Sequence, residues 1–459
     1  MFKLGFLGVI GGIIAAIIAI TDNSMLAAVV AMGLWLASIE VMVLTKAAGG
    51  FTAVILPVLT VNIAGLGALL LWNPIRSEAI VSIRFRVTDD FLIQGALICI
   101  VFSAAFTVGA VVAGPRSMRL SKATLRDSLS ELGGVLPISD AALVAVGYAG
   151  IAVAVYGWQG ALLEGRYLQS GGPEWAVTIG ILATPISCLC LCLVAARPGR
   201  WRNLAVLGLG VWVLILFARS SRSLAAIPAF LIAARALTGR GIGIRSVVLA
   251  SVATIFLLQL SLVGRVNPSG VGLIPLSELL FTRTNEIASG ISLSALLGNI
   301  LIAGPESAVV ANRPIEGPAF WVSINPMPGG FAGWDEYKYS LRFTKSMPYN
   351  TLGELGSHGW AALMAVAAAS GILLALSTRI AWNLKGAYAT VAALLVLGSA
   401  GFFSVSILQY NLRSSSRIVW YAFLGVSVIW FGYVNFGRRD RPNAQLTGTS
   451  RSDRVMGTI

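Results

Sequence analysis

The chain has 459 residues, 57% of them hydrophobic and only 11% charged, with a formal net charge of +14. So few charges cannot cover a water-soluble globule of this length, which excludes a soluble fold and leaves lipid as the main solvent. The basic excess is scattered between apolar runs and is not gathered into one patch with aromatics, so it excludes a nucleic-acid surface and fits orientation in a membrane.

Apolar runs long enough to cross about 30 Å of hydrocarbon at 1.5 Å per residue set the organisation. Hydropathy places spans at 5–20, 25–44, 51–72, 91–113, 141–158, 175–196, 204–217, 224–237 and 247–263, then at 360–378, 387–408 and 419–436. The fold class therefore reads as an all-α polytopic membrane protein of about twelve helices, with one large loop between the ninth and tenth. In this division residues 1–263 are a bundle of nine spans, 264–357 the loop, 358–437 the last three spans and 438–459 a basic tail. The first run follows Lys3 and leads straight into more spans without a small-x-small site, so it reads as an uncleaved helix. Cys99, Cys188, Cys190 and Cys192 all lie in apolar runs and read as small hydrophobes.

With a cytoplasmic amino terminus, the inner segments hold 19 of the 33 basic residues, and the short outer connections hold 8. The long loop is exempt from this bias, so the count places both termini in the cytoplasm. Within the loop, 285–304 carries Ile287, Ile291, Leu296, Leu297 and Ile300 near helical spacing, which predicts a helix lying on the membrane or re-entrant into it. No internal repeat is found, which weighs against a transporter built of two related halves.

Three constellations carry candidate chemistry. The first is the turn Arg219-Ser220-Ser221-Arg222. The 37 residues between Arg202 and Arg240 reach about 55 Å, against about 60 Å for two full crossings, so the turn is expected below the outer surface. A cation at that depth faces a wet cavity or an anion, or snorkels to the headgroups. The second is Arg413 and Arg417, four residues apart on one helical face at the outer end of the eleventh span, either an anion site or an interfacial anchor. The third is the loop end, where Arg342, Lys345, Tyr349, Asn350, Glu354 and His358 gather at the mouth of the tenth span. Asn350 and Glu354 share a face if this stretch is helical. Glu354 either takes a proton from an acceptor hydroxyl or orients an arginine, and His358 is either a base or a helix-start residue. There is no HExxH, no glycine-rich phosphate loop with a following lysine and no DxD pair, so no metal or cofactor is expected; a cation-lined site of this kind fits pyrophosphate chemistry.

Two stretches resemble the polytopic O-antigen polymerase and ligase superfamily, the Wzy-type enzymes. One is Arg219-Ser220-Ser221-Arg222-Ser223-Leu224. The other is Asn325-Pro326-Met327-Pro328 followed by Asn350-Thr351-Leu352-Gly353-Glu354-Leu355 and Gly359. They resemble the family's Asn-Pro-x-Pro and Asn-x-x-Gly-Glu-Leu patterns. The ligase branch usually has His-Asn where this chain has Tyr349-Asn350, which favours polymerase, although His358 lies near. The resemblance implies transfer of a glycan from undecaprenyl pyrophosphate to the next lipid-linked repeat unit, on the outer side of the bacterial inner membrane. Arg219, Arg222, Arg342 and Arg417 would hold pyrophosphate or sugar, Glu354 or His358 would assist the acceptor, and a flippase and a chain-length regulator would be partners. A transporter or flippase of the same lipid-linked sugars is the rival of a different class.

Overall fold

The computed structural model describes residues 13, 17, 24–47, 52–79, 87–114, 139–166, 171–238, 243–265, 270–282, 298, 301–327, 329–344 and 347–437. These form α1 (Met25–Ala47), α2 (Thr52–Ala79), α3 (Asp89–Ala113), α4 (Asp140–Leu162), α5 (Glu174–Ala195), α6 (Arg202–Ala218), a 3-10 turn (Arg222–Ala226), α7 (Ile227–Leu237), α8 (Ile244–Arg265) and α9 (Leu273–Thr282). After them come α10 (Ala303–Ala311), α11 (Gly317–Ile324), the short α12 (Gly329–Ala332) and α13 (Trp334–Tyr337), then a two-stranded antiparallel ribbon of β1 (Arg342–Thr344) and β2 (Met347–Pro348). The chain ends in α14 (Thr351–Ser357), α15 (Trp360–Asn383), α16 (Gly386–Gln409) and α17 (Leu412–Gly432). Among the described residues, five segments are long and apolar enough to cross a membrane: Asp89–Ala113, Asp140–Leu162, Trp360–Asn383, Val391–Gln409 and Leu412–Asn435. The protein is an all-α membrane protein.

The expected span at 5–20 and most of the expected loop helix at 285–304 lie outside the described residues. One difference from the hydropathy reading matters for the site. The last helix begins at Leu412, ahead of the apolar run at 419, because the Asn411 side chain accepts a hydrogen bond from the Ser414 amide at 3.0 Å and caps it there. Arg413 and Arg417 are therefore in the first two turns of the last helix, and not at the end of the span before it.

Extensive packing falls into two groups. In one, α1–α3 pack with α10 and α14–α17, around Phe102, Phe106, Leu352, Leu355, Leu363, Leu374 and Phe403. In the other, α4–α9 pack around Trp158, Leu191 and Trp212. Helix α3 is central to the first group because glycine lets neighbours approach its backbone. A Cβ on Gly109 of α3 would meet the Ala368 oxygen of α15 at 2.1 Å, and one on Gly95 would meet the Gly304 oxygen of α10 at 2.1 Å. Side chains at either position would push α15 or α10 away.

Candidate functional site

The largest polar assembly of the first group lies where α10, α14 and the α11–α12 connection meet the start of α17. It is built from Asn350 outward. Asn350 is the N-cap of α14: its Oδ1 accepts from the Gly353 amide at 2.8 Å, and its Nδ2 donates to the Ala303 carbonyl and to Ser307 Oγ, both at 2.9 Å. Its backbone N–H donates to Glu306, whose carboxyl burial pushes up to about 8. One residue thus caps α14 and ties it to α10. The expectation that Asn350 and Glu354 share a helical face gives way to this, because Asn350 is the extended capping residue and not part of the helix.

Glu354 is 2% exposed, and its Oε1 accepts from the Leu412 amide at 3.3 Å. Leu412 opens α17, so the carboxyl takes one of the donors that a helix start leaves unpaired. Burial raises this carboxyl well above the usual carboxylate range, and the amide bond pulls part of that back. A second tie lies alongside: Thr351 Oγ1 donates to the Tyr410 carbonyl at 2.8 Å and sits 2.7 Å from Ser415 Oγ. Glu354 therefore orients an arginine-bearing helix through its backbone and makes no ion pair with the arginines themselves.

Those arginines hold an irregular piece of backbone. Arg413, 3% exposed, donates from Nη1 to the Val322 carbonyl and to the Asn325 carbonyl at 3.4 Å, and from Nη2 to the Met327 carbonyl at 2.6 Å. Arg417 donates to the same Met327 oxygen at 2.6 Å, Tyr421 Oη to the Pro326 carbonyl at 3.0 Å, and Ser416 Oγ to the Ser323 carbonyl at 2.9 Å. Five carbonyls at the end of α11 and beyond, which helix geometry cannot satisfy, are thus served by one face of α17. Tyr421 lies nine residues past Leu412, about 13 Å along the helix, so the Asn325-Pro326-Met327 turn lies beside the membrane-spanning segment. Both guanidiniums keep a buried Nε–H without a hydrogen-bond partner, and among the described residues no carboxylate pairs with either. Two positive charges stand together uncompensated.

The remaining candidates divide. Tyr349 is buried, its hydroxyl accepts from Arg313 at 2.8 Å, and its ring packs edge-on against Phe343 at 4.8 Å. Arg342 is half-buried and opens the ribbon opposite Pro348. His358 caps the end of α14, its ring 5.0 Å from that of Phe320 on α11, and burial lowers its pKa. Lys345 and the side chain of Arg222 lie outside the described residues.

Arg219 belongs to the other group. It ends α6, with its guanidinium 3.3 Å from the centre of the Trp158 ring on α4. Ser220 after it takes a left-handed backbone (φ 47°), and α8 supports the turn where Ser261 Oγ donates to the Ser221 carbonyl at 3.0 Å. The legs of this turn, α6 and the 3-10 turn with α7, each rise about 26 Å, short of a full crossing of about 30 Å. The structure thus brings Asn350, Glu354, Arg413 and Arg417 to one assembly and keeps Arg219 in another. Sequence reasoning missed Glu306, Ser307, Thr351, Ser415, Ser416 and Tyr421; a signal was present in the run Ser414-Ser415-Ser416, with Arg417 after it, opening an otherwise apolar helix. Comparison with protein-family models, with curated proteins and with solved structures returns no match for this chain.

Proposed function

We propose that the protein is a membrane glycosyltransferase that polymerises undecaprenyl-pyrophosphate-linked oligosaccharide repeat units into O-antigen, capsular or exopolysaccharide. It works at the outer face of a bacterial inner membrane, with about twelve spans, both termini cytoplasmic and residues 264–357 outside. The observation that carries this reading is the uncompensated pair Arg413 and Arg417 at the start of a membrane-spanning helix. Adjacent guanidiniums suit a pyrophosphate, which accepts several charge-assisted hydrogen bonds. The reading gains support because both loop stretches of the family resemblance, Asn325–Met327 and Asn350–Leu355, dock on this same start of α17.

In the proposed reaction, an acceptor sugar hydroxyl attacks the anomeric carbon of the donor glycan. The bond from that carbon to the pyrophosphate oxygen breaks, and the electron pair leaves with the pyrophosphate. The half-buried Arg417 neutralises the charge that grows there, and the buried Arg413 beside it adds its positive field. The hydroxyl proton passes to His358: burial lowers its pKa, so its ring is neutral near pH 7 and able to accept. Glu354 is a positioning residue, holding the first amide of the arginine-bearing helix.

The test is a gel profile of surface and lipid-linked polysaccharide from a deletion strain complemented with the parent gene or with Arg417→Ala. The expected result is single repeats without a ladder in the deletion and in Arg417→Ala. Long polymer left on its lipid carrier would identify a ligase, and repeats confined to the cytoplasmic side a flippase; either overturns the polymerase reading.

A further inference from the structure

A second polar assembly lies inside the first helix group. Glu40 of α1, Asn62 of α2 and Ser103 of α3 meet, all three buried. Ser103 lies about 21 Å from the start of the membrane-spanning α3, inside that span, and Glu40 of α1 meets it there. Glu40 Oε2 accepts from Asn62 Nδ2 at 2.9 Å and from Ser103 Oγ at 2.7 Å, and Ser103 Oγ in turn accepts from Asn62 Nδ2 at 2.8 Å. The donors run in one direction, from the amide through the hydroxyl to the carboxyl, which is the pattern that suits an acceptor oxygen bearing negative charge.

The other carboxyl oxygen is treated differently. Glu40 Oε1 is buried with no hydrogen-bond partner, and so is Thr107 Oγ1, one turn along α3 from Ser103. Close packing shuts out the surroundings: a Cβ on Gly65 of α2 would meet the Cys99 Cβ at 2.7 Å, and one on Gly33 of α1 would meet Leu66 at 2.4 Å. Helix α1 packs on α2 and α3. Among the described side chains of these three helices, the other titratable groups are Cys99, one turn before Ser103 and facing Gly65, and Asp89 and Asp90 in the first turn of α3. No lysine, arginine or histidine is among them. A carboxyl with one oxygen saturated by donors, the other bare, and no cation beside it among the described side chains suits a positive charge from outside the chain.

We propose that Glu40 Oε1 binds one exchangeable positive charge inside the membrane, carried by a proton or an alkali-metal cation. The site is independent of the outer arginine pair and of the polymerase reading. It would make the packing of α1 on α2 and α3 respond to the proton or alkali-ion concentration at the membrane.

The test uses the unsubstituted protein in lipid vesicles and a hydrophobic carbodiimide, which reacts with a carboxyl group only while it is protonated; mass mapping locates the label. If the occupant is a proton, labelling of Glu40 falls about tenfold per pH unit above its midpoint and is the same in sodium chloride and choline chloride. If the occupant is an alkali cation, sodium chloride at constant pH suppresses the label and choline chloride does not. Either result supports the site. No label on Glu40 at any pH, or a label indifferent to both pH and sodium, shows an inert structural carboxyl and overturns the proposal.

Discussion

Arg413 and Arg417 open α17, and Arg219 ends α6; all are cations at helix ends, yet the two regions satisfy them by different means. At α17 the guanidiniums meet a stretch of backbone that has left helical geometry, and they donate to its carbonyls. At α6 the guanidinium lies on the face of Trp158, while the strained turn after it is held by Ser261 of α8. An arginine that serves broken backbone is bound into the fold, because removing it strands several buried acceptors at once. An arginine on an aromatic face gives up a quadrupole contact when it is removed.

Substitutions distinguish the two regions. Arg413→Ala has the largest expected effect, about 3–5 kcal/mol of destabilisation, because the Val322 and Asn325 carbonyls lose their donor and the Met327 carbonyl keeps only Arg417. Arg413→Lys recovers little of it, since an ammonium lacks the planar fork. Thermal unfolding in detergent measures both. Next comes a pH effect at the same assembly. The folded-state pKa of Glu306 is raised from 4.5 to about 8, so folding takes up a proton between those values. The stabilisation is complete below about pH 4.5 and is lost as pH rises through about 8. Unfolding midpoints followed across this range fall accordingly in the parent, and Glu306→Gln flattens the profile.

Asn350→Ala removes a helix cap and two buried hydrogen bonds, at an expected cost of about 2 kcal/mol. Arg219→Ala is the smallest of the series, about 1 kcal/mol from the lost cation–π contact with Trp158. An Arg219→Ala variant as unstable as Arg413→Ala would remove the distinction between the two regions.

How much of this is legible in the sequence follows from the physics of each part. Runs such as 91–113 and 141–158 stand out because nothing but lipid or a wholly apolar core tolerates them, and α3 and α4 cover them. The start of α17 is harder to read: Asn411 and Ser414–Ser416 look like a polar connection, and only the cap and the carbonyls they serve make them helical. Arg413, Arg417, Asn350 and Glu354 draw notice as polar groups beside apolar runs. Their partners do not, because Val322, Ser323 and Met327 contribute backbone oxygens that have no side-chain signature. Glu306 hides in a short Ala-Gly-Pro segment, and its role depends on Asn350, brought to it from a distant part of the chain. Glu40 sits unremarked in a long apolar helix until Asn62 and Ser103 converge on it.

The central claim, that the uncompensated pair on α17 receives a lipid-linked pyrophosphate, is tested most directly by ligand-induced thermal stabilisation of the purified protein. Undecaprenyl pyrophosphate is expected to raise the unfolding midpoint of the parent but not of Arg417→Ala, and undecaprenol to raise neither. An equal rise in the parent and in Arg417→Ala would contradict the claim.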